Sequence, residues 1–242
     1  MSTVIAVLSG KGGTGKSTAA AALGCALAEL GHTVLCVDGD TELRNLDLCL
    51  GLGDTALMDY GDVLEGRCTP EKAMIAPRDF SSLRLLAAPP GKSSGLLRDL
   101  IPTAKRSFDY CIIDCPGGLG GTVEEAAALA DLALVVTTPD PCGHRDGERA
   151  AQLLRDSGDA AGRLLINRVN PRLLRTSETT LDDTIDLVGM RLLGYAPEDP
   201  QVPLALSAGR PLLAEDHRPK RGAAAAFRRM ARRLTGERVP LP

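Results

Sequence analysis

The chain has 242 residues, with 28 Lys and Arg against 31 Asp and Glu, 44% hydrophobic and 24% charged residues. These are the proportions of an ordinary globular protein; they exclude disorder and collagen-like repeats, and at this length a core needs no disulfide or structural metal. Aromatic residues make up 2% and Trp is absent, which removes the stacking platforms that single-stranded nucleic acid uses and leaves the core to Leu, Val, Ile and Ala.

The chain opens on a Val- and Ile-rich run at residues 3–8 that ends at Ser9-Gly10, followed by an Ala-rich helical stretch at 17–30 closed by Gly31. This reads as strand, glycine loop, helix. Further short apolar runs lie at 33–37, 83–87, 110–113, 132–136, 164–166 and 192–194, with helical patterns between most of them. Near-continuous apolar strands alternating with helices predict an α/β fold: a doubly wound, mostly parallel sheet with helices on both faces. In such sheets ligands bind at the carboxyl ends of the strands. The Pro- and Gly-rich stretch 89–95 reads as a loop inside the domain.

No run approaches the roughly 18 apolar residues of a membrane span, and the start carries neither a basic segment nor a small-residue cleavage site. The expected location is therefore the cytoplasm. The seven cysteines form no CxxC pair, so they are expected as small core hydrophobes. Cys111 and Cys115 lie an even offset apart in a predicted strand, on one face and beyond bridging distance.

Charge is uneven. From residue 217 onward eight Arg or Lys face one Glu, leaving about −10 on the first 216 residues. Written as a helix, Phe227, Met230, Ala231 and Leu234 share a stripe, with Arg228, Arg229, Arg232 and Arg233 on the other side. Two expectations follow: a last helix docked by this stripe with solvated arginines outside, or a contact of Phe227, Met230 and Leu234 with a membrane surface.

Gly10-Lys11-Gly12-Gly13-Thr14-Gly15-Lys16-Ser17 satisfies both G-x-G-x-x-G and G-x-x-x-x-G-K-[ST]. Lys16-Ser17 decides for the P-loop, which needs an ammonium on the β and γ phosphates and a hydroxyl on Mg²⁺. The glycines let backbone N–H groups curl around phosphate oxygens, and the helix that follows adds the positive end of its dipole. Thr18 continues this nucleotide-binding segment.

Lys11 is an extra lysine that a P-loop does not require. With it, KGGTGKS resembles the deviant Walker A motif of the ParA/MinD family of ATPases, and the resemblance extends to about Gly236. It implies a P-loop NTPase of the SIMIBI type, with 1–236 as a single domain and 237–242 as a short tail. It implies ATP and Mg²⁺ as cofactors and catalytic roles for Lys11, Lys16 and Asp40, with Lys11 reaching across a homodimer to the partner's nucleotide. Asp40 would position the attacking water; Asp38, Ser17 and Asp114, which opens Asp-Cys-Pro-Gly-Gly, would form the magnesium shell. Asn167 and Arg168 resemble the adenine-recognition segment and Pro197 the segment that flanks the base.

Arg44-Asn45-Leu46-Asp47-Leu48 resembles the MinD branch, the cell-division-site ATPases, more than the chromosome-partition proteins. This implies a slow, partner-stimulated ATPase switch that helps place the division septum. Its expected partners are a division inhibitor resembling MinC, meeting the dimer near Asp146, and an activator resembling MinE. After Gly236 the sequence departs from that branch, since no further apolar and basic helix follows, and a contact at the inner face of the cell membrane would fall to the helix around Phe227. The alternatives are other members of the family: a flagellar-number regulator, a plasmid or chromosome partition ATPase with DNA as cargo, or an iron–sulfur carrier. A ligase or reductase with Cys111, Cys115 and Cys142 on a cluster is a third class.

Overall fold

The computed structural model describes residues 2–241 except 54, 56, 92–94, 96, 158–160, 177–179, 217 and 219. The stretch 89–95 read as a loop thus lies partly outside the described residues.

In chain order the elements are β1 (Thr3–Leu8), α1 (Lys16–Glu29), β2 (Val34–Asp38), α2 (Leu46–Cys49), α3 (Tyr60–Leu64), α4 (Pro70–Ala73), β3 (Leu83–Leu86), α5 (Leu97–Ala104), β4 (Tyr110–Asp114) and α6 (Gly121–Leu129). There follow β5 (Leu132–Thr137), α7 (Pro141–Ser157), β6 (Ala161–Val169), α8 (Pro171–Thr176), α9 (Leu181–Val188), β7 (Leu192–Pro197), α10 (Gln201–Ser207), α11 (Leu212–Glu215) and α12 (Gly222–Leu234). Each expected apolar run is a strand, and β6 is the one most extended beyond its run.

The strands form one sheet in the order β3-β2-β4-β1-β5-β6-β7, with every pairing parallel. Because side chains alternate across a strand, β1 serves both faces. Ile5 and Val7 join the core under α1, α11 and α12. Val4, Ala6 and Leu8 join the core under α5, α6 and α7. β1 is central, and the chain leaves it for β2 on one side while β5 flanks it on the other, so a crevice opens at its carboxyl end.

α12 corrects the membrane reading of Phe227, Met230 and Leu234. Phe227 and Met230 are each 1% exposed, and Leu234 is partly buried on the same core. The helix lies against α1 and β7. Its apolar contact includes Ala223, Ala224, Ala225 and Ala226, small residues that let it approach closely and that a count of large side chains overlooks.

Arg232 is exposed as expected, whereas Arg228 and Arg233 are held by the fold rather than solvated. Arg228 donates to both carboxylate oxygens of Glu29 at 2.7 and 2.8 Å and to the carbonyls of Leu213 and Asp216 at 3.1 Å. Arg233 donates to the carbonyls of Leu193, Val239 and Pro240. Arg228→Ala should therefore destabilise the fold by about 2 kcal/mol, a fall of about 5 °C in a melting scan.

Of the cysteines, Cys25, Cys36, Cys111 and Cys115 are buried as expected, and Cys49 and Cys68 are partly buried. Cys142 is exposed, in the first turn of α7, and corrects the expectation of seven core thiols. Cys111, Cys115 and Cys142 do not gather, and among the described residues no group of His, Cys, Asp and Glu is placed to hold a metal or cluster by itself. Also among the described residues, no helix is long and apolar enough to cross a membrane.

Candidate functional site

The loop of residues 10–15 joins β1 to α1 at the sheet centre. Gly15 has φ +93°, and a Cβ there would lie 2.3 Å from the amide nitrogen of Asn167. At Gly10 a Cβ would lie 2.3 Å from the carbonyl oxygen of Asp146 on α7. Both glycines are thus demanded by close approach, one against the end of β6 and one against a helix.

Two lysines leave this loop in different directions. Lys16, at the start of α1, is 7% exposed and turns inward, donating to Ser9 Oγ at 3.1 Å and to the Lys11 carbonyl at 3.4 Å. Burial holds its ammonium below the ordinary 10.5, while Asp114, Cys115 and Asp40 pull the other way. Lys11 turns outward to Asp146 on α7, with Nζ 3.8 Å from Oδ2. Asp146→Asn should shift stability by less than about 1 kcal/mol, because a half-exposed pair at this distance contributes little; a melting scan checks it.

Three carboxylates flank the loop. Asp38 and Asp114 are register partners at the ends of β2 and β4, 2% and 1% exposed. Asp38 accepts from the backbone amides of Asp40 and Leu46 at 2.9 and 3.2 Å; burial, only partly offset by those bonds, pushes its carboxyl up to about 7. Neither carboxylate oxygen of Asp114 has a hydrogen-bond partner of regular geometry. Burial first and the charge of Asp38 second push it up to about 8, with Ser17 and Lys16 acting against them.

A buried, orphaned carboxylate beside a hydroxyl and a second carboxylate is the setting a hard divalent cation fits. Among the described residues no group of three His, Cys, Asp or Glu side chains could hold it unaided, so its remaining ligands would be water and phosphate oxygens. Asp40 accepts from the amides of Glu42 and Leu43 at 3.1 and 2.9 Å, so its carboxylate closes a turn. The next turn residue, Arg44, holds φ +48°, a left-handed conformation uncommon for a residue with a side chain.

At the other flank Asn167, 7% exposed, donates to the Thr14 carbonyl at 2.8 Å. One of its two N–H groups is therefore committed to the loop. Arg168 follows at φ +55°. It lines a groove of about 370 Å³ with Lys11, Thr14, Asp140, Asn170 and Glu198. Asn170 donates to Glu198 at 2.9 Å and accepts from the Arg172 amide at 3.0 Å at the start of α8. Pro197 ends β7 opposite Val169, and Thr18 lies in the first turn of α1.

The fold thus brings together residues 10–18, Asp38, Asp40, Asp114, Asn167, Arg168 and Asp146, and sets Pro197 on the strand beside that of Asn167. It leaves Phe227, Met230 and Leu234 on the core beneath α12. The motif reading missed Ser9, whose Oγ accepts from Lys16 and donates to the Lys11 carbonyl at 2.5 Å. Its only signal was a hydroxyl residue closing an apolar strand directly before Gly10.

A profile described as the CobQ/CobB/MinD/ParA nucleotide-binding domain matches residues 5–212. The septum site-determining protein MinD of Bacillus subtilis is 38% identical over 249 residues, covering 100% of this chain and 92% of the relative. Among solved structures, the MinC:MinD cell division protein complex of Aquifex aeolicus superposes at TM-score 0.89 with 34% identity, covering 100% of this chain and 99% of that one. MinD of Pyrococcus horikoshii complexed with Mg-ADP superposes at TM-score 0.81 with 30% identity over 97% and 96% of the two chains.

Proposed function

Because the chain belongs to the CobQ/CobB/MinD/ParA nucleotide-binding family, we propose that it is a MinD-like ATPase, a switch that dimerises on ATP and is reset by hydrolysis. The observation that carries this reading is the divergence of the two loop lysines: Lys16 is turned in toward its own loop, and Lys11 outward to a surface ion pair.

The residues divide the work. The loop amides and Lys16 hold the phosphate chain, with the start of α1 adding its dipole. Ser17, Asp38 and Asp114 would hold Mg²⁺, which would supply positive charge against the phosphates. Asp40 orients the attacking water, after its turn has opened. Lys11 leaves Asp146 and meets the nucleotide bound by the partner subunit, placing a cation where transition-state charge develops. The monomer is then nearly inert, and hydrolysis depends on assembly. Asn167, Arg168 and Pro197 flank the base.

The release of Asp146 on dimerisation offers a surface to a division inhibitor, and hydrolysis answers to an activator; that a similar protein of Aquifex aeolicus is solved as a MinC:MinD complex supports an inhibitor as partner. The place of action is the cytoplasm and, through such partners, the site of septum formation. A DNA cargo carried by the tail is the second reading, weakened because Arg218, Arg228 and Arg232 are each paired to an acidic side chain of this chain.

The test is light scattering of the purified chain with ATP or with ADP, alongside sedimentation with anionic liposomes. ATP-dependent dimers are expected, with no liposome retention through the stripe of α12, which is buried. A monomer under both nucleotides contradicts the switch.

A further inference from the structure

The end of the sheet away from the glycine loop carries an arginine-lined groove that plays no part in the site above. It is a depression of about 430 Å³ where the last turn of α7 meets the starts of β6 and β7. Arg155, Arg163 and Arg191 line it, over an apolar floor that includes Leu154 and Met190, and no acidic side chain is among the described residues lining it.

The three cations are together against their own electrostatics. Leu164 pairs with Leu192 across β6 and β7, and the Leu164 amide donates to the Arg191 carbonyl at 2.8 Å. Arg163 on β6 and Arg191, the residue before β7, therefore flank the first paired position of the two strands, two like charges near one another. Arg155 donates to the neutral Gln152 oxygen at 3.1 and 2.9 Å, and Arg163 to the Gly162 carbonyl at 3.0 Å. Among the described residues, no ion pair involves any of the three. This occurs on a chain of net charge −3, where acidic partners are abundant.

We propose that this groove is a phosphate-binding site, taking either a soluble phosphoester or a phospholipid headgroup. One phosphate presents enough oxygens to accept from three guanidinium forks at once, which a single carboxylate does not. The apolar floor keeps water from one side and strengthens each contact. The concave shape takes a projecting group rather than a flat surface.

The test uses the full chain saturated with Mg-ADP, so that the glycine loop takes no probe. One arm titrates inorganic pyrophosphate calorimetrically at physiological salt. The other measures flotation with phosphatidylglycerol-containing vesicles against pure phosphatidylcholine vesicles. Saturable pyrophosphate binding at one per chain, weakened about tenfold in R163Q/R191Q with ADP affinity unchanged, establishes a soluble ligand. Retention on phosphatidylglycerol vesicles, lost in R163Q/R191Q and without pyrophosphate binding, establishes a headgroup. Neither probe binding, or equal binding by wild type and variant, overturns the site. The melting temperature of R163Q/R191Q should hold or rise as the repulsion is relieved; a fall of several degrees makes the arginines structural and overturns it as well. R155Q, on the helix rather than the sheet, repeats the binding test and should weaken binding likewise.

Discussion

Lys16→Ala should weaken nucleotide binding by a factor of about a hundred or more, whereas Lys11→Ala should leave affinity within a few-fold of wild type and remove hydrolysis. Lys16 is 7% exposed and held within the loop by Ser9 Oγ and a carbonyl, so its ammonium is pre-placed in a site with few other cations. A charged hydrogen bond to phosphate formed there, free of competing water, is worth several kcal/mol. Lys11 lies outside that cradle, 3.8 Å from Asp146 with its side chain 37% exposed, and within one chain its removal ends only a weak surface pair. Calorimetric titration of ADP on both variants, with ATP turnover alongside, separates the roles. Equal loss of affinity in both would sink the trans role of Lys11.

The stability of the nucleotide-free protein in EDTA should fall as pH rises from about 4 to about 8, and Asp114→Asn should remove much of that fall. Asp38 and Asp114 are pushed up to about 7 and about 8 from an ordinary 3.8. Between the ordinary value and these raised ones the folded chain keeps protons that the unfolded chain has released. Unfolding free energy therefore declines with pH across that window, and it levels off above it. Each unit of such a shift corresponds to about 1.4 kcal/mol, and because the two carboxyls act on one another the pair titrates jointly. A difference of about 2 kcal/mol or more between pH 6 and pH 8 is expected in denaturant unfolding, with a flatter profile in the variant. Mg²⁺ with ADP should restore stability at pH 8 in wild type more than in Asp114→Asn. A wild-type profile as flat as the variant's would mean that the site is wetter than its burial indicates.

The two carboxylates separate what was readable in the chain from what was not. Each could be placed at a strand end, because parallel strands covered on both faces read as unbroken apolar runs and a polar residue marks where the run stops. Lys16-Ser17 could be assigned to a P-loop because the chemistry of phosphate and magnesium fixes residue types at fixed spacing over a few positions. That Asp38 and Asp114 lie side by side could not be read, since β2 and β4 pair across a separation of more than 70 residues.

The tail shows the limit of periodicity most plainly. The stripe of Phe227, Met230 and Leu234 was visible as an amphipathic helix, but an amphipathic pattern states only that one face seeks apolar surroundings. The alanines of α12, the apolar surface it meets on α1 and β7, and Glu29 beneath Arg228 determine that those surroundings are the protein's own core.

By itself, then, the sequence determined the α/β class, the position of each strand, the glycine loop and the residue types that complete it, because each of these is set by local period or short spacing. Only the tertiary structure decided the order of the strands, the ion pair of Lys11 with Asp146, the role of Ser9, the burial of α12 and the gathering of Arg155, Arg163 and Arg191. Those are contacts between segments far apart in the chain, and they exist only once parallel crossovers have carried one strand past another and closed the helical layers over the sheet.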